Sequence, residues 1–397
     1  MSKLTVRDIK VGGQRVLVRV DFNVPLDEET GAIIDDSRIR ASLPTIRYLT
    51  ERRARVILCS HLGRPKGRAV DKLRLAPVGQ RLSQILKQPV KTTRNCIGPD
   101  AEAAIAKLKE GDILLLENVR FHPEEEENEA NFAQALARLA DIYVNDAFGA
   151  AHRAHASVVG ITQYLPAAAG LLVEKEITNL GGILESPARP FAALLGGAKV
   201  SDKVGVIENI MDKVDYILIG GGMAATFLKA KSCEVGKSLI EADKVAIALE
   251  LMKRALRSGV SLMLPADVVI AGELSPQAKG ETVSTENIPD DKRIVDVGPE
   301  TIKGFQRSLL KCKTVFWNGP LGIYELPQFA AGTKALAKVI ASLEAATVIG
   351  GGSTADTVAD MGLTDSMTFV STGGGASLEF LSGQALPGIE ALPNKES

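Results

Sequence analysis

Four apolar runs in the first half of the chain each end in groups that can grip an anion. Asp21 and Asn23 follow "RVLVRV", His61 and Arg64 follow "RVILCS", Arg120 closes "DILLLENVR", and Arg153 lies in "AHRAHAS"; Arg38 adds a fifth base in "DDSRIR". A guanidinium is a planar fork that meets two phosphate or carboxylate oxygens at once, so several converging from different strand ends would fix a small polyanion in one orientation. Taken singly, each arginine is an ordinary surface group, and the weight lies in the set. His61 offers a further donor, and Asp21 with Asn23 can hold a hydroxyl.

The second half carries a different chemistry. Its apolar runs end in glycines: Gly196 and Gly197, Gly220 and Gly221, Gly319 after Asn318, Gly350, Gly351 and Gly352 followed by Ser353 and Thr354, and Gly373 and Gly374 in "STGGGA". Without a Cβ the backbone can come close to a ligand, and a helix starting there aims amides at a phosphate. One such loop is an ordinary tight turn, whereas five in half a chain form a pattern. Lys199 and Lys203, four apart in "GGAKVSDK", share a face if a helix begins at once, with Asp202 beside them able to reach a metal or pair a lysine.

Other motifs point less firmly. "GGGMAA" and "GGGSTA" fit the dinucleotide pattern G-x-G-x-x-A, which makes an NAD-dependent dehydrogenase an alternative, yet no strand ending in a ribose-binding acid follows about 20 residues on. "GKS" at 236–238 has Lys231 where a P-loop needs glycine and reads as a surface turn. His152 and His155 lack a completing cysteine or acid and read as structural. "HPEEEENEANFAQALARLAD" reads as one amphipathic helix with proline and acids at its favoured end.

These groups need elements to position them. At 397 residues, 45% hydrophobic, 24% charged and net charge −1, the chain has the composition of an ordinary globular protein rather than a nucleic-acid-coating one, and two domains with a cleft between them are expected. Its four scattered cysteines and the absence of an apolar run near 20 residues suggest a reducing cytoplasm and no membrane span. Short β-branched runs alternating with helical segments predict parallel sheets covered by helices, with ligands at the strands' carboxyl ends. The fold class is therefore α/β: two Rossmann-like domains, each a mainly parallel sheet sandwiched by helices. "LLVEKEITNLGGILESPARP" reads as the connecting helix, halted by its prolines. The last dozen residues are too broken by proline and glycine to assign.

The motifs "RVDFNVP", "SHLGRP", "LLLENVRFHPEEE", "NDAFGAAHRAHAS", "LGGAKVSDK", "GGGMA", "WNGPLGIYE" and "STGGGASLEF", in this order, closely resemble the phosphoglycerate kinase family from end to end. The resemblance implies residues 1–172 as a phosphoglycerate-binding domain, 173–187 as the interdomain helix and 188–383 as the nucleotide domain, with a tail from about 384 returning to the first. It implies reversible, in-line phosphoryl transfer between 1,3-bisphosphoglycerate and ADP after hinge closure, by a monomeric cytoplasmic enzyme using magnesium with ATP or ADP and binding neither nucleic acid nor membrane. Carried over by position, Asp21, Asn23, Arg38, His61, Arg64, Arg120 and Arg153 hold phosphoglycerate. Gly196, Gly197, Lys203, Gly220, Gly221, Asn318, Glu325 (for the ribose) and Gly350 to Thr354 hold the nucleotide. Arg38 and Lys199, with amides from Gly373 and Gly374 onward, attend the transferred group. One position departs: family members commonly carry a metal-binding aspartate where this chain has Ser353. Magnesium would then rely on phosphates and water, with Asp202 or Asp356 helping indirectly. That departure keeps open a nucleotide-binding relative without catalysis.

Overall fold

The computed structural model describes residues 2–395. Its contacts divide the chain into two compact units, residues 1–178 together with the stretch from Ala385 onward, and residues 179–384.

In the first unit, six parallel strands form one sheet: β1 (Arg15–Val20), β2 (Arg55–Cys59), β3 (Val90–Thr92), β4 (Ile113–Leu115), β5 (Ile142–Asp146) and β6 (Ala167–Ala169), in the order β3-β4-β2-β1-β5-β6. The central strands are buried on both faces, as a helix-covered parallel sheet requires. Val16, Val18, Val20, Val56, Leu58 and Val144 share a core with Ile46, Leu49 and Leu82 from flanking helices. The four runs readable in the sequence are the four central strands. The edge strands "VKT" and "AAA" were not readable, because one breaks its apolar character at lysine and the other is alanine alone, which carries no strand preference.

The second unit has a sheet of the same kind, with β7 (Phe191–Leu195), β8 (Tyr216–Ile219), β9 (Ser261–Met263), β13 (Thr314–Asn318), β14 (Ala346–Ile349) and β15 (Phe369–Val370) in the order β15-β14-β13-β7-β8-β9. A separate antiparallel sheet, unforeseen in the sequence, is formed by β10 (Asp267–Ala271), β11 (Glu281–Ser284) and β12 (Arg293–Val297). Trp317 is fully buried among Leu194, Leu218 and Leu336, and its indole N–H donates to the Gly319 carbonyl at 2.9 Å. A buried indole needs such a partner.

Two helices differ from expectation. The helix expected at 173–187 spans Leu171–Glu185, because Thr45 Oγ1 and Asp146 Oδ1 accept from the Leu171 and Leu172 amides at its start, and Ser186 precedes a proline at its end. The acidic segment forms two short helices, Pro123–Glu126 and Ala130–Ala137, split at Asn128 with φ 54°. The Glu129 side chain caps the second by accepting from the Phe132 amide at 2.7 Å.

The stretch from Ala385 lies against the first unit, where Leu4 N donates to Pro393 O and Gly388 N to Ala151 O. Among the described residues no helix is long and apolar enough to cross a membrane.

Candidate functional site

In the first unit, Asp21 follows β1, His61 follows β2, Arg120 sits in a short 3-10 helix after β4, and Arg153 comes after β5. Because these strands are parallel, all four positions fall at one end of the sheet. Arg38, from the helix Ser37–Ala41, places Nη1 2.5 Å from Asp21 Oδ2. Arg120 Nη1 donates to Gly63 O at 3.0 Å, and Arg153 Nε donates to His152 Nε2 at 3.1 Å. Asn23 Oδ1 accepts from Gly63 N at 2.8 Å, so this oxygen helps to shape the turn carrying Arg64. Arg64 itself is exposed.

The cluster sets its own charge states. Burial opposes ionisation of Asp21, but the neighbouring His61, Arg38 and Arg19, with the bond from the Asn23 amide, favour it and its pKa falls. Burial, reinforced by Arg19, Arg120 and Arg38, holds His61 well below the usual histidine range and so neutral. Burial and the neighbouring Arg19 bring Arg120 down to about 10. His155 is lowered to about 3 by burial and by Arg120, Arg19 and Arg153, and it stays neutral among cations.

Two members of this region were missed in the sequence. Arg19 is fully buried in β1 beneath the cluster, and Glu125, read there only as one of the acids at a helix's favoured end, has no exposed surface and a raised pKa from burial. The signal for Arg19 was present: a charge inside the valine-rich run "RVLVRV" is rarely buried without a partner.

In the second unit the loop after β7 corrects one expectation. The helix begins at Val204, after both lysines, so Lys199 and Lys203 do not share a helical face. Lys199 is exposed, whereas Lys203 is buried with Nζ 2.5 Å from Asn318 Oδ1, and burial lowers its pKa to about 8 against the pull of Asp202.

The glycines divide into two kinds. A Cβ on Gly196 would lie 2.2 Å from Pro320 O, one on Gly221 2.5 Å from Gly197 N, one on Gly220 2.4 Å from the Leu321 side chain, one on Gly350 2.2 Å from the Asn318 amide, and one on Gly351 2.6 Å from Gly374 N. These glycines let the loops pack on one another. Gly197 and Gly352, at φ 96° and 74°, face open space, so no packing contact but only their backbone conformation calls for glycine there. Thr354 is buried and its hydroxyl accepts from Gly319 N at 2.6 Å, while the Gly373 amide donates to Ser371 Oγ at 3.1 Å. Both are therefore partly spent on holding the loops. Ser353 opens the helix Ser353–Asp360, which has no side-chain cap.

Some of these loops line a cavity of about 730 Å³. Gly197, Gly221, Gly222 and Ser353 line it, with Glu325 on its wall and Ile240, Leu274, Val295 and Ile323 as apolar surface. An apolar pocket with a few polar groups is the usual form of a small-molecule site. Lys237 and Ser238 line it too, so the "GKS" turn is part of the pocket and not bare surface. The apolar walls were missed because they come from loops and from the unforeseen β12. Among the described residues no group of three or more His, Cys, Asp or Glu side chains could hold a metal, and Asp202 is exposed.

A basic cluster at the strand ends of one α/β unit and a glycine-lined pocket in the other define a protein built for phosphorylated ligands. The family model for phosphoglycerate kinase matches residues 6–384. The phosphoglycerate kinase of Moorella thermoacetica is 53% identical over 395 residues, covering 100% of both chains, and that of Synechococcus elongatus 54% over 396 residues, covering 99% of this chain and 98% of the relative. The solved phosphoglycerate kinases of Coxiella burnetii and Pyrococcus horikoshii match with TM-scores of 0.86 and 0.87 at 40% and 33% identity, each covering 98% of both chains. This chain belongs to the phosphoglycerate kinase family.

Proposed function

We propose that the chain transfers a phosphoryl group reversibly between 1,3-bisphosphoglycerate and ADP, with the basic cluster holding the phosphoglycerate and the 730 Å³ pocket holding the nucleotide. The observation that carries this is the pocket's mixed lining: glycine loops with Ser353 suit phosphates, apolar side chains suit a base, and Glu325 suits ribose hydroxyls. Lys203 supports the same reading as a buried cation beside the glycine loop.

Arg38 and Lys199 take the roles of neutralising and guiding the transferred group. Phosphoryl transfer needs positioning and charge stabilisation rather than a covalent enzyme intermediate. Magnesium fits this wall if it arrives with the nucleotide, drawing its oxygens mainly from phosphate and water with Ser353 as a neutral ligand; a self-sufficient protein-held site does not fit these residues. Bound in that way, it would supply charge neutralisation on the phosphates.

The test is formation of 1,3-bisphosphoglycerate from ATP and 3-phosphoglycerate, read as NADH oxidation through glyceraldehyde-phosphate dehydrogenase. We expect turnover in the native chain and losses of roughly 10³- to 10⁵-fold in Arg38→Ala and Lys199→Ala. Nucleotide binding without turnover would instead favour a non-catalytic relative, the reading Ser353 leaves open.

A further inference from the structure

Below the basic cluster runs a chain of buried polar groups with no assigned role. Glu125 Oε1 accepts from Ser157 Oγ at 2.6 Å, and Oε2 accepts from the Ser157 amide at 2.8 Å. Ser157 Oγ in turn accepts from Arg19 Nε at 2.8 Å. Arg19 Nη1 donates to the Val20 carbonyl at 2.5 Å, and Nη2 lies 3.1 Å from His61 Nδ1. Arg19, Ser157 and Glu125 have no exposed surface, and His61 is nearly as buried.

The direction of the last link is fixed by chemistry. A guanidinium has five donors and no acceptor, and it keeps its charge in proteins. His61 Nδ1 must therefore accept, which leaves the ring's single proton on Nε2. A hydroxyl has one proton and two lone pairs, so Ser157 accepts from Arg19 and gives its proton to the Glu125 carboxylate, whose charge burial opposes but Arg19 and the two bonds from Ser157 favour. Every link then has one orientation, with the negative charge at the Glu125 end and a neutral N–H donor at the other.

We propose that Arg19 is a positioning residue that locks His61 as the neutral, Nε2-protonated tautomer, with Glu125 acting through Ser157 as the buried counter-charge that keeps Arg19 in place. This rests on the reading of His61 as a phosphoglycerate ligand and adds how its proton is placed. The cations are supplied by Arg38, Arg120 and Arg153, and His61 is kept as a directional donor. A doubly protonated ring would turn a second N–H against Arg19.

The groups facing His61 are Arg19 from β1, Asp21 just beyond it with Oδ1 4.0 Å from Nδ1, Arg38 from the helix Ser37–Ala41, and Arg120 from the loop after β4. Three cations against one carboxylate oppose protonation. Removing Arg19 deletes both the donor to Nδ1 and one of those cations, so the ring regains freedom of tautomer and of charge.

The chain has four histidines, so ¹⁵N-histidine labelling gives a spectrum in which His61→Gln identifies the His61 signals. In the native chain we expect His61 to be neutral and Nε2-protonated at every pH from about 5.5 to 8, where an ordinary histidine titrates. In Arg19→Met the ring should titrate or mix tautomers within that range. The KM for 3-phosphoglycerate should then rise roughly tenfold and become pH-dependent while that for ATP stays put. Arg19→Lys, which keeps a donor, should restore part of the effect. An Nδ1-protonated or charged His61 in the native chain overturns the proposal even if no variant folds. So does an Arg19→Met protein with His61 unchanged in tautomer and charge. A native chain that neither binds nor turns over 3-phosphoglycerate would remove the substrate reading and leave the tautomer measurement intact.

Discussion

Lys203 is buried, with its ammonium directed at Asn318, and its pKa is drawn down to about 8 by burial. The proton is thus lost from the free protein not far above neutrality. If this ammonium serves the nucleotide's phosphates, kcat/KM for ATP, which reports free-enzyme ionisations, should fall as pH rises past about 8. Lys203→Arg keeps its charge throughout and should flatten that limb, measured with 3-phosphoglycerate saturating. A native profile flat to pH 9.5 would dismiss the role. In the sequence Lys203 and Lys199 looked alike, four apart beyond one glycine turn. What separates them is where the helix starts, and that depends on tertiary contacts such as Glu241 accepting from the Val200 and Ser201 amides, which no local pattern reveals. The basic residues were legible as a set because parallel strands deliver their carboxyl ends to one edge. Arg19 and Glu125 were not, since whether a charge is buried is decided by partners distant in sequence, 138 residues away for the Arg19–Ser157 bond and 32 for Ser157–Glu125.

The helix Leu171–Glu185 shows the same division between local and distant causes. Its existence was legible from composition and its end from the prolines, but its start is held by Asp146 at the end of β5 and Thr45 from another helix. Gly170 just before it is required, because a Cβ there would lie 2.1 Å from Asp146 Oδ1. Burial raises Asp146 to about 7, partly offset by the bonds from Thr45, Leu172 and Val173. A carboxyl whose folded pKa lies above its unfolded value favours the folded state fully below the unfolded pKa, near 3.9, and loses that advantage as pH rises through about 7. Asp146→Asn removes the titration while keeping an oxygen to accept from Leu172. The variant should therefore gain stability relative to the native chain between pH 5 and pH 8, by at most about 3 kcal/mol. Urea denaturation of both proteins at the two pH values reads the difference, and a gap that does not change with pH would show that Asp146 does not titrate there. The strands tell a parallel story: the runs that could be read are the interior strands of both sheets and the edge strand β15, while β3, β6 and β9 lack a β-branched apolar run of their own and exist because a neighbour supplies their partners.

Over the whole molecule, each unit has its own parallel sheet and its own core, and the first unit is built from both ends of the chain. The sequence from Ala385 was unreadable as an element because its four-residue helix, Pro387–Glu390, is too short for a period to show. Its place is set by distant partners: Leu4 N and Lys3 Nζ donate to Pro393 O and Leu392 O, and Asn145 Nδ2 donates to Gly388 O. Leu386, Ile389 and Leu392 are each 2% exposed, so the stretch is a piece of the first unit's interior rather than a trailing end. Three such side chains contribute about 4 to 9 kcal/mol by burial, an upper bound because unfolded chains already hide some apolar surface. Removing residues 385–397 should therefore speed amide hydrogen exchange throughout β1, β5 and β6, the strands nearest the lost contacts. Exchange in β7, β8 and β13 should stay as it was, because stability is distributed by cooperative unit rather than by chain position. Equal acceleration in both sheets would mean that the two cores unfold as one, and no acceleration in β5 would mean that the terminal stretch contributes nothing to the unit it completes.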